Sequence, residues 1–276
     1  MKKNILFLLL IIPILWFGSC NKKTTELDYN PNVLSSKDYI RAEDAMFEIV
    51  NTFFKGVHDS LVEGICFGYI DDCEVCYFPD ENLMTFGYGS VNRYCTDNKY
   101  RRGSFLAQFS GPVFDEGVTA NLKTDNLIVD DSLVEAEMDI RYMGINSTNR
   151  PEYNLNLSYC KIKLPDSTKV NGVTISADLT LVWQEGYLTP EIHEDDTYFI
   201  SGNASGISSD SYEFTVAIED PLENYLDCFW ISSGISKLTV STGDFPTGDI
   251  DYILEDGCFN EMHFYVNENM FYDFLK

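Results

Sequence analysis

VEAEMDIRY, residues 134–142, is the stretch that decides the fold class. Val134, Ala136, Met138, Ile140 and Tyr142 alternate with Glu135, Glu137, Asp139 and Arg141. A period of two places the apolar set on one face of a β-strand and the charges on the other. One wet face implies antiparallel pairing, because parallel strands are covered on both sides. The pattern recurs downstream. Ile175, Ala177, Leu179 and Leu181 alternate with Thr174, Ser176, Asp178 and Thr180, and YEFTVAI (212–218) and HFYV (263–266) read the same way. Asn171-Gly172 carries a strong hairpin signal, and Gly202-Asn203, Gly243-Asp244 and Asp256-Gly257 are further turn signals. The expected fold is all-β: a large antiparallel meander, either a sandwich or a strongly curved sheet.

One segment breaks the period. Tyr39, Ala42, Met46, Ile49, Phe53 and Val57 recur at spacings of three or four, which predicts one amphipathic helix packed on the sheet. Ser35, three residues before Asp38, is the expected start, and Gly56 marks the expected stop. Arg41, Glu43, Asp44, Glu48 and Asn51 fill the opposite face, which is expected to be wet. No long Pro/Ser linker divides residues 35–276, so they are expected to form one domain or two closely apposed, related halves. The second option rests on a loose echo. TFGYG and Cys95 precede GSFLA (103–107), while IDYI and Cys258 precede MHFYV (262–266).

The N-terminus gives the address. Lys2 and Lys3 precede an apolar run at 5–17, too short for a bilayer span of about 20 residues but suited to a secretory signal. Gly18-Ser19-Cys20 then reads as a lipoprotein processing site, although Phe17 departs from the usual residue at its start. Residues 1–19 are expected to be a lipoprotein signal peptide, Cys20 the lipidated new N-terminus, and 20–34 a polar tether. The expected location is the outer membrane or cell surface of the envelope, held through the lipid.

Removal of residues 1–19 takes away two of 19 basic residues and none of the 44 acids, which leaves a formal charge of −27. Such a surface repels nucleic acid and anionic headgroups. The partners expected are the membrane, through the lipid alone, and a protein or glycan of unknown identity.

With Cys20 acylated, seven cysteines remain, in a compartment that permits disulfides. CEVC (73–76) has redox spacing but lacks the βαβ context that thioredoxin chemistry needs. His58, His193 and His263 are the only histidines and are scattered, without paired ligand spacing. No metal and no cofactor is expected.

Several runs then come in a telling order: RRGSF (101–105), WQEGYLTP (183–190), DDTYFISG (195–202), YEFTVAI (212–218), CFWISSG (228–234), IDY (250–252) and DGCFN (256–260). The chain resembles a family of uncharacterised β-rich lipoproteins of Bacteroidota-type Gram-negative bacteria over roughly residues 75–275. Ile253-Leu254 departs from it, standing where the family tends to have glycine. The resemblance implies an exported, acylated β protein and carries no catalytic residues. Within these runs Cys228 and Trp230 are expected two apart on one strand, with Gly234 at a bulge or close approach. Cys228–Cys258 is the expected bridge, with Cys76–Cys95 its counterpart in the first half.

No nucleophile elbow, phosphate loop or His-Glu-x-x-His occurs. The acidic clusters Asp71-Asp72, Asp130-Asp131, Glu194-Asp195-Asp196, Asp249 with Asp251, and Glu255-Asp256 lack the EF-hand pattern and read as solvated turns. The expected role is non-catalytic binding or interaction. An accessory glycan-binding lipoprotein and a carboxylate-dependent hydrolase are the alternatives.

Overall fold

The computed structural model describes residues 31–59, 66–113, 115–163, 172–190, 192–228, 230–242, 247–252, 261–266 and 269–274; residues 67, 261 and 269–274 are described by backbone alone. Among the described residues helix α1 (Pro31–Asp59) comes first. Fourteen strands follow among the described residues: β1 (Cys66–Ile70), β2 (Cys73–Phe78), β3 (Leu83–Tyr94), β4 (Tyr100–Phe109), β5 (Thr119–Val129), β6 (Ser132–Ile145) and β7 (Pro151–Lys163), then β8 (Val173–Glu185), β9 (Thr197–Ile207), β10 (Glu213–Tyr225), β11 (Ser233–Val240), β12 (Thr247–Tyr252), β13 (Glu261–Val266) and β14 (Asn269–Phe274). Each pairs antiparallel with the next, so one open sheet runs in chain order from β1 to β14. The opening stretch lies in β6, and Val134, Ala136, Met138 and Ile140 are buried as the alternation predicts.

The short connections follow from turn chemistry. Ile70 pairs with Cys73 and Val129 with Ser132, leaving Asp71-Asp72 and Asp130-Asp131 as two-residue turns. All four aspartates have positive φ, as a type I′ hairpin requires. Their carboxylates are used locally: Asp130 accepts the Tyr100 N–H at 2.8 Å, and Asp72 accepts the Thr96 N–H at 3.0 Å. At the start of β8, Val173 pairs with Ile162, so β7 and β8 are not joined by the two-residue turn expected at Asn171-Gly172; residues 164–171 of the connection lie outside the described residues.

The sheet curls around the helix. Phe53 meets Phe86 of β3 and Phe109 of β4; Phe54 meets Tyr153 of β7 and Tyr198 of β9; Tyr39 meets Phe214 of β10. The helix also packs on β1, β8, β11, β12 and β13. In consequence 22 of its 29 residues are buried, where a helix lying on a flat sheet would keep a wet side. The strongly curved sheet is therefore the form adopted, and the expected wet face is corrected: Glu43 and Asn51 are buried, Asp44 and Glu48 half-buried, and only Arg41 of that set is exposed.

Two boundaries move. Pro31 suits a first helical turn, where its missing N–H costs nothing, and the helix starts four residues before Ser35. Residues 31–34 thus belong to the helix rather than to the tether. Gly56 does not stop the helix, which continues to Asp59. Its role is close approach: a Cβ there would lie 2.6 Å from the Phe86 ring. Among the described residues no helix is long and apolar enough to cross a membrane.

Candidate functional site

Two histidines 135 positions apart in the numbering meet at the end of the helix. His58 sits in the last turn of α1, and His193 opens a short 3-10 turn between β8 and β9. Asp196, directly after that turn, lies between them. Its Oδ2 is 3.4 Å from His58 Nδ1 and 3.6 Å from His193 Nδ1. Neither contact has hydrogen-bonding geometry, and all three atoms are buried without a hydrogen-bond partner. The three ligand atoms lie within 4.8 Å of one another.

The surroundings fix each group. The Trp183 indole N–H of β8 donates to Asp196 Oδ1 at 2.9 Å. The same indole stacks on the His58 ring, with centroids 4.3 Å apart and planes 6° from parallel. His193 Nε2 is 3.1 Å from Asp59 Oδ1, so the final residue of α1 holds the far side of that ring. Gly186 has φ +81, and a Cβ there would come within 2.2 Å of Asp196 Oδ1, so a side chain at 186 would displace the carboxylate.

Burial and charge act differently on the three groups. Burial lowers the His58 pKa below the ordinary histidine value. Burial also opposes charging of His193, but Asp196 and Asp59 outweigh it and raise the pKa. Burial alone would raise Asp196; His193, His58 and Trp183 together bring it below the usual carboxylate range. Two imidazole nitrogens and one carboxylate oxygen converging without mutual hydrogen bonds form a donor set suited to a transition-metal ion.

A second polar cluster ties the middle of α1 to the start of β4. Arg101 bonds Glu48 and grips Asp97 through both terminal nitrogens, one of them at 2.6 Å. Lys99 reaches Asp44 at 2.9 Å and Glu48 at 3.4 Å, with its ammonium 4.6 Å from the Trp230 ring centroid. Three carboxylates thus face two cations. The surplus is felt at Asp44, where burial pushes the pKa up to about 6 against the pull of Lys99. Burial disfavours charge on Glu48 as well, but Lys99 and Arg101 overcome it and lower its pKa. These groups are committed to one another and serve as scaffold.

The outer face of β7–β11 carries two adjoining hollows of about 590 and 680 Å³. They share Ser158, Ser176, Ser205, Thr215 and Thr239, while exposed Tyr159 and Ile207 border the first. The Ser176 and Ser205 hydroxyls are 3.1 Å apart.

The expected cysteine pattern changes. Cys76 bonds Cys66 across the β1–β2 hairpin, not Cys95, which is a buried free thiol with Cys73 and Cys160. The reason is register: a bulge between Cys66 and Gly68 sets Cys66 directly opposite Cys76. The CEVC pair is thereby divided, with Cys73 reduced and its pKa raised, chiefly by burial. Cys228 is disulfide-bonded, and its partner lies outside the described residues, as does Cys258. Cys228 and Trp230 occupy the connection after β10 rather than a strand. Gly234 does mark a close approach: its φ is +114, and a Cβ would lie 2.6 Å from the Pro221 carbonyl oxygen. Cys20 and Glu255-Asp256 lie outside the described residues.

No family model, no curated protein and no solved structure matches this chain.

Proposed function

We propose that this chain is a lipid-anchored envelope protein that acts by binding rather than by catalysis, and that it presents the outer face of β7–β11 to its ligand. The observation that carries this reading is the hollow surface over those strands, lined by Ser158, Ser176, Ser205, Thr215 and Thr239. Small hydroxyls pair with other hydroxyls at little desolvation cost, and the exposed Tyr159 ring can stack on the apolar face of a sugar. A glycan is therefore the ligand class this surface fits best. Lipidation at Cys20 would hold that surface at the outer membrane, and the resemblance of the motif order to β-rich lipoproteins is in keeping with the same address.

The hydrolase alternative needs two carboxyl groups flanking a cleft. The interior carboxylates at Glu43, Asp44, Glu48 and Asp97 are instead engaged by tyrosine, lysine and arginine side chains.

A glycan panel screened by thermal shift tests the reading. A glycan that raises the melting temperature of the wild type, with the shift abolished in Ser205→Trp at unchanged basal melting, is the expected result. A shift retained in Ser205→Trp would place binding elsewhere. For the anchor, mass spectrometry of the mature N-terminus should find Cys20 carrying acyl mass; an unmodified terminus refutes it.

A further inference from the structure

We infer that His58, His193 and Asp196 bind one divalent transition-metal ion of the zinc class, which fastens the C-terminal end of α1 to the β8–β9 connection. Three observations carry this.

The spacing is the first. A tetrahedral zinc with bonds of about 2.0–2.2 Å holds its ligand atoms roughly 3.3–3.6 Å apart. Asp196 Oδ2 lies 3.4 Å from His58 Nδ1 and 3.6 Å from His193 Nδ1. The cluster as a whole spans up to 4.8 Å, so seating the ion needs the two rings to close by on the order of 1 Å. His193 can supply that motion, because its side chain keeps 18% of its surface exposed while His58 and Asp196 keep none.

Missing hydrogen bonds are the second. Buried polar atoms in folded proteins are nearly always partnered. Eleven buried side-chain atoms among the described residues have no hydrogen-bond partner, and four of them are His58 Nδ1, His58 Nε2, His193 Nδ1 and Asp196 Oδ2. An ion at the centre satisfies the three that face it and leaves the His58 proton on Nε2.

The third is the support around the donors. Metal-bound histidines commonly pass their second ring nitrogen to a carboxylate, which fixes orientation and raises basicity. Asp59 Oδ1 does this for His193 at 3.1 Å. Trp183 orients both other donors, through its stack on His58 and its hydrogen bond to Asp196. Three protein ligands leave a fourth position for water. Nothing here depends on the glycan reading of the outer face.

The competing account is a metal-free cluster in which an imidazolium at His193 sits between Asp59 and Asp196. The test uses the full chain in detergent, stripped with EDTA and titrated with ZnCl₂ by calorimetry, and with CoCl₂ by visible absorption. The expected result is one zinc per chain and an intense cobalt spectrum of tetrahedral type. Both should vanish in His193→Ala and in Asp196→Asn, and Asp59→Asn should weaken zinc binding by roughly 10–100-fold. Circular dichroism of each variant checks that it is folded. His193→Ala, the more exposed site, decides the matter if Asp196→Asn does not fold. No zinc uptake by the wild type, or uptake with a cobalt spectrum unaltered in His193→Ala, would overturn the inference and leave the ion-pair account.

Discussion

Tyr252 of β12 donates a hydrogen bond to Glu43 of α1, from a position 209 residues further along the chain. Tyr39, one helical turn before Glu43, donates to the other carboxylate oxygen at 2.7 Å. All three side chains are buried. A carboxyl group on the supposedly wet side of a helix is thus enclosed by the far end of the sheet. That one relationship states the architecture: the sheet returns on the helix until only Arg41 of its residues is left exposed. Burial is also the first cause of a Glu43 pKa raised to about 7, with the two tyrosine hydroxyls opposing it.

The pH dependence of stability follows. Native Glu43 keeps its proton up to about pH 7, whereas the unfolded chain releases it near 4.5. Through that window the native state binds more protons, so stability falls as pH rises. The full loss is about 3 kcal/mol, reached above pH 7 and absent below about 4.5. Glu43→Gln does not titrate. Urea denaturation at pH 4.5 and pH 8 should therefore show the variant gaining on the wild type by about that amount. A gap between the two proteins that is constant with pH would contradict the assignment.

Arg101→Ala tests the second cluster. It leaves Glu48 and Asp97 without their shared cation in a buried setting, so destabilisation of about 3–5 kcal/mol is expected by chemical denaturation. A surface ion pair would cost no more than about 1 kcal/mol. A result in that lower range would show that solvent reaches the cluster.

Gly56→Ala sets two effects against each other. Helix propensity alone favours alanine by about 1 kcal/mol. The added methyl would press into the Phe86 ring, which is fully buried and stacked 4.3 Å from Phe105, so the ring has little room to yield. Overpacking of this kind costs about 1–3 kcal/mol. The variant should be less stable than the wild type in urea; a gain would mean that the helix does not approach β3 this closely.

Much of this was legible in the residues and some was not. The sheet was, because the two-residue period in 134–142 and its repeats depends only on local sequence. The helix was legible as a helix, but its surroundings were not. An enclosed helix still shows an apolar stripe, and Glu43, Asp44 and Glu48 look solvated until Tyr252, Lys99 and Arg101 are brought to them. The histidine cluster was hidden for the same reason: Asp59 and His193 are 134 residues apart, and metal-ligand motifs are recognised by short spacing. The Cys66–Cys76 bridge was nearly readable. A two-residue turn at Asp71-Asp72 sets Cys66 opposite Tyr77, and a single bulge moves it to Cys76.

That bridge has its own test. Peptide mapping under non-reducing conditions should find Cys66 joined to Cys76, with Cys73, Cys95 and Cys160 alkylated only after unfolding. Burial pushes the Cys160 thiol up to about 12, which adds to its inertness. A Cys76–Cys95 peptide would mean that the β1–β2 hairpin is registered differently.

The enclosure of α1 by the sheet is tested most directly by one titration, that of the Glu43 side-chain carboxyl followed by carbon-detected NMR in selectively labelled protein. A midpoint near 7 is predicted, because the group is buried among Tyr39, Tyr252 and the facing strands. A midpoint at the ordinary glutamate value of about 4.3 would put that side of the helix in water and contradict the fold described.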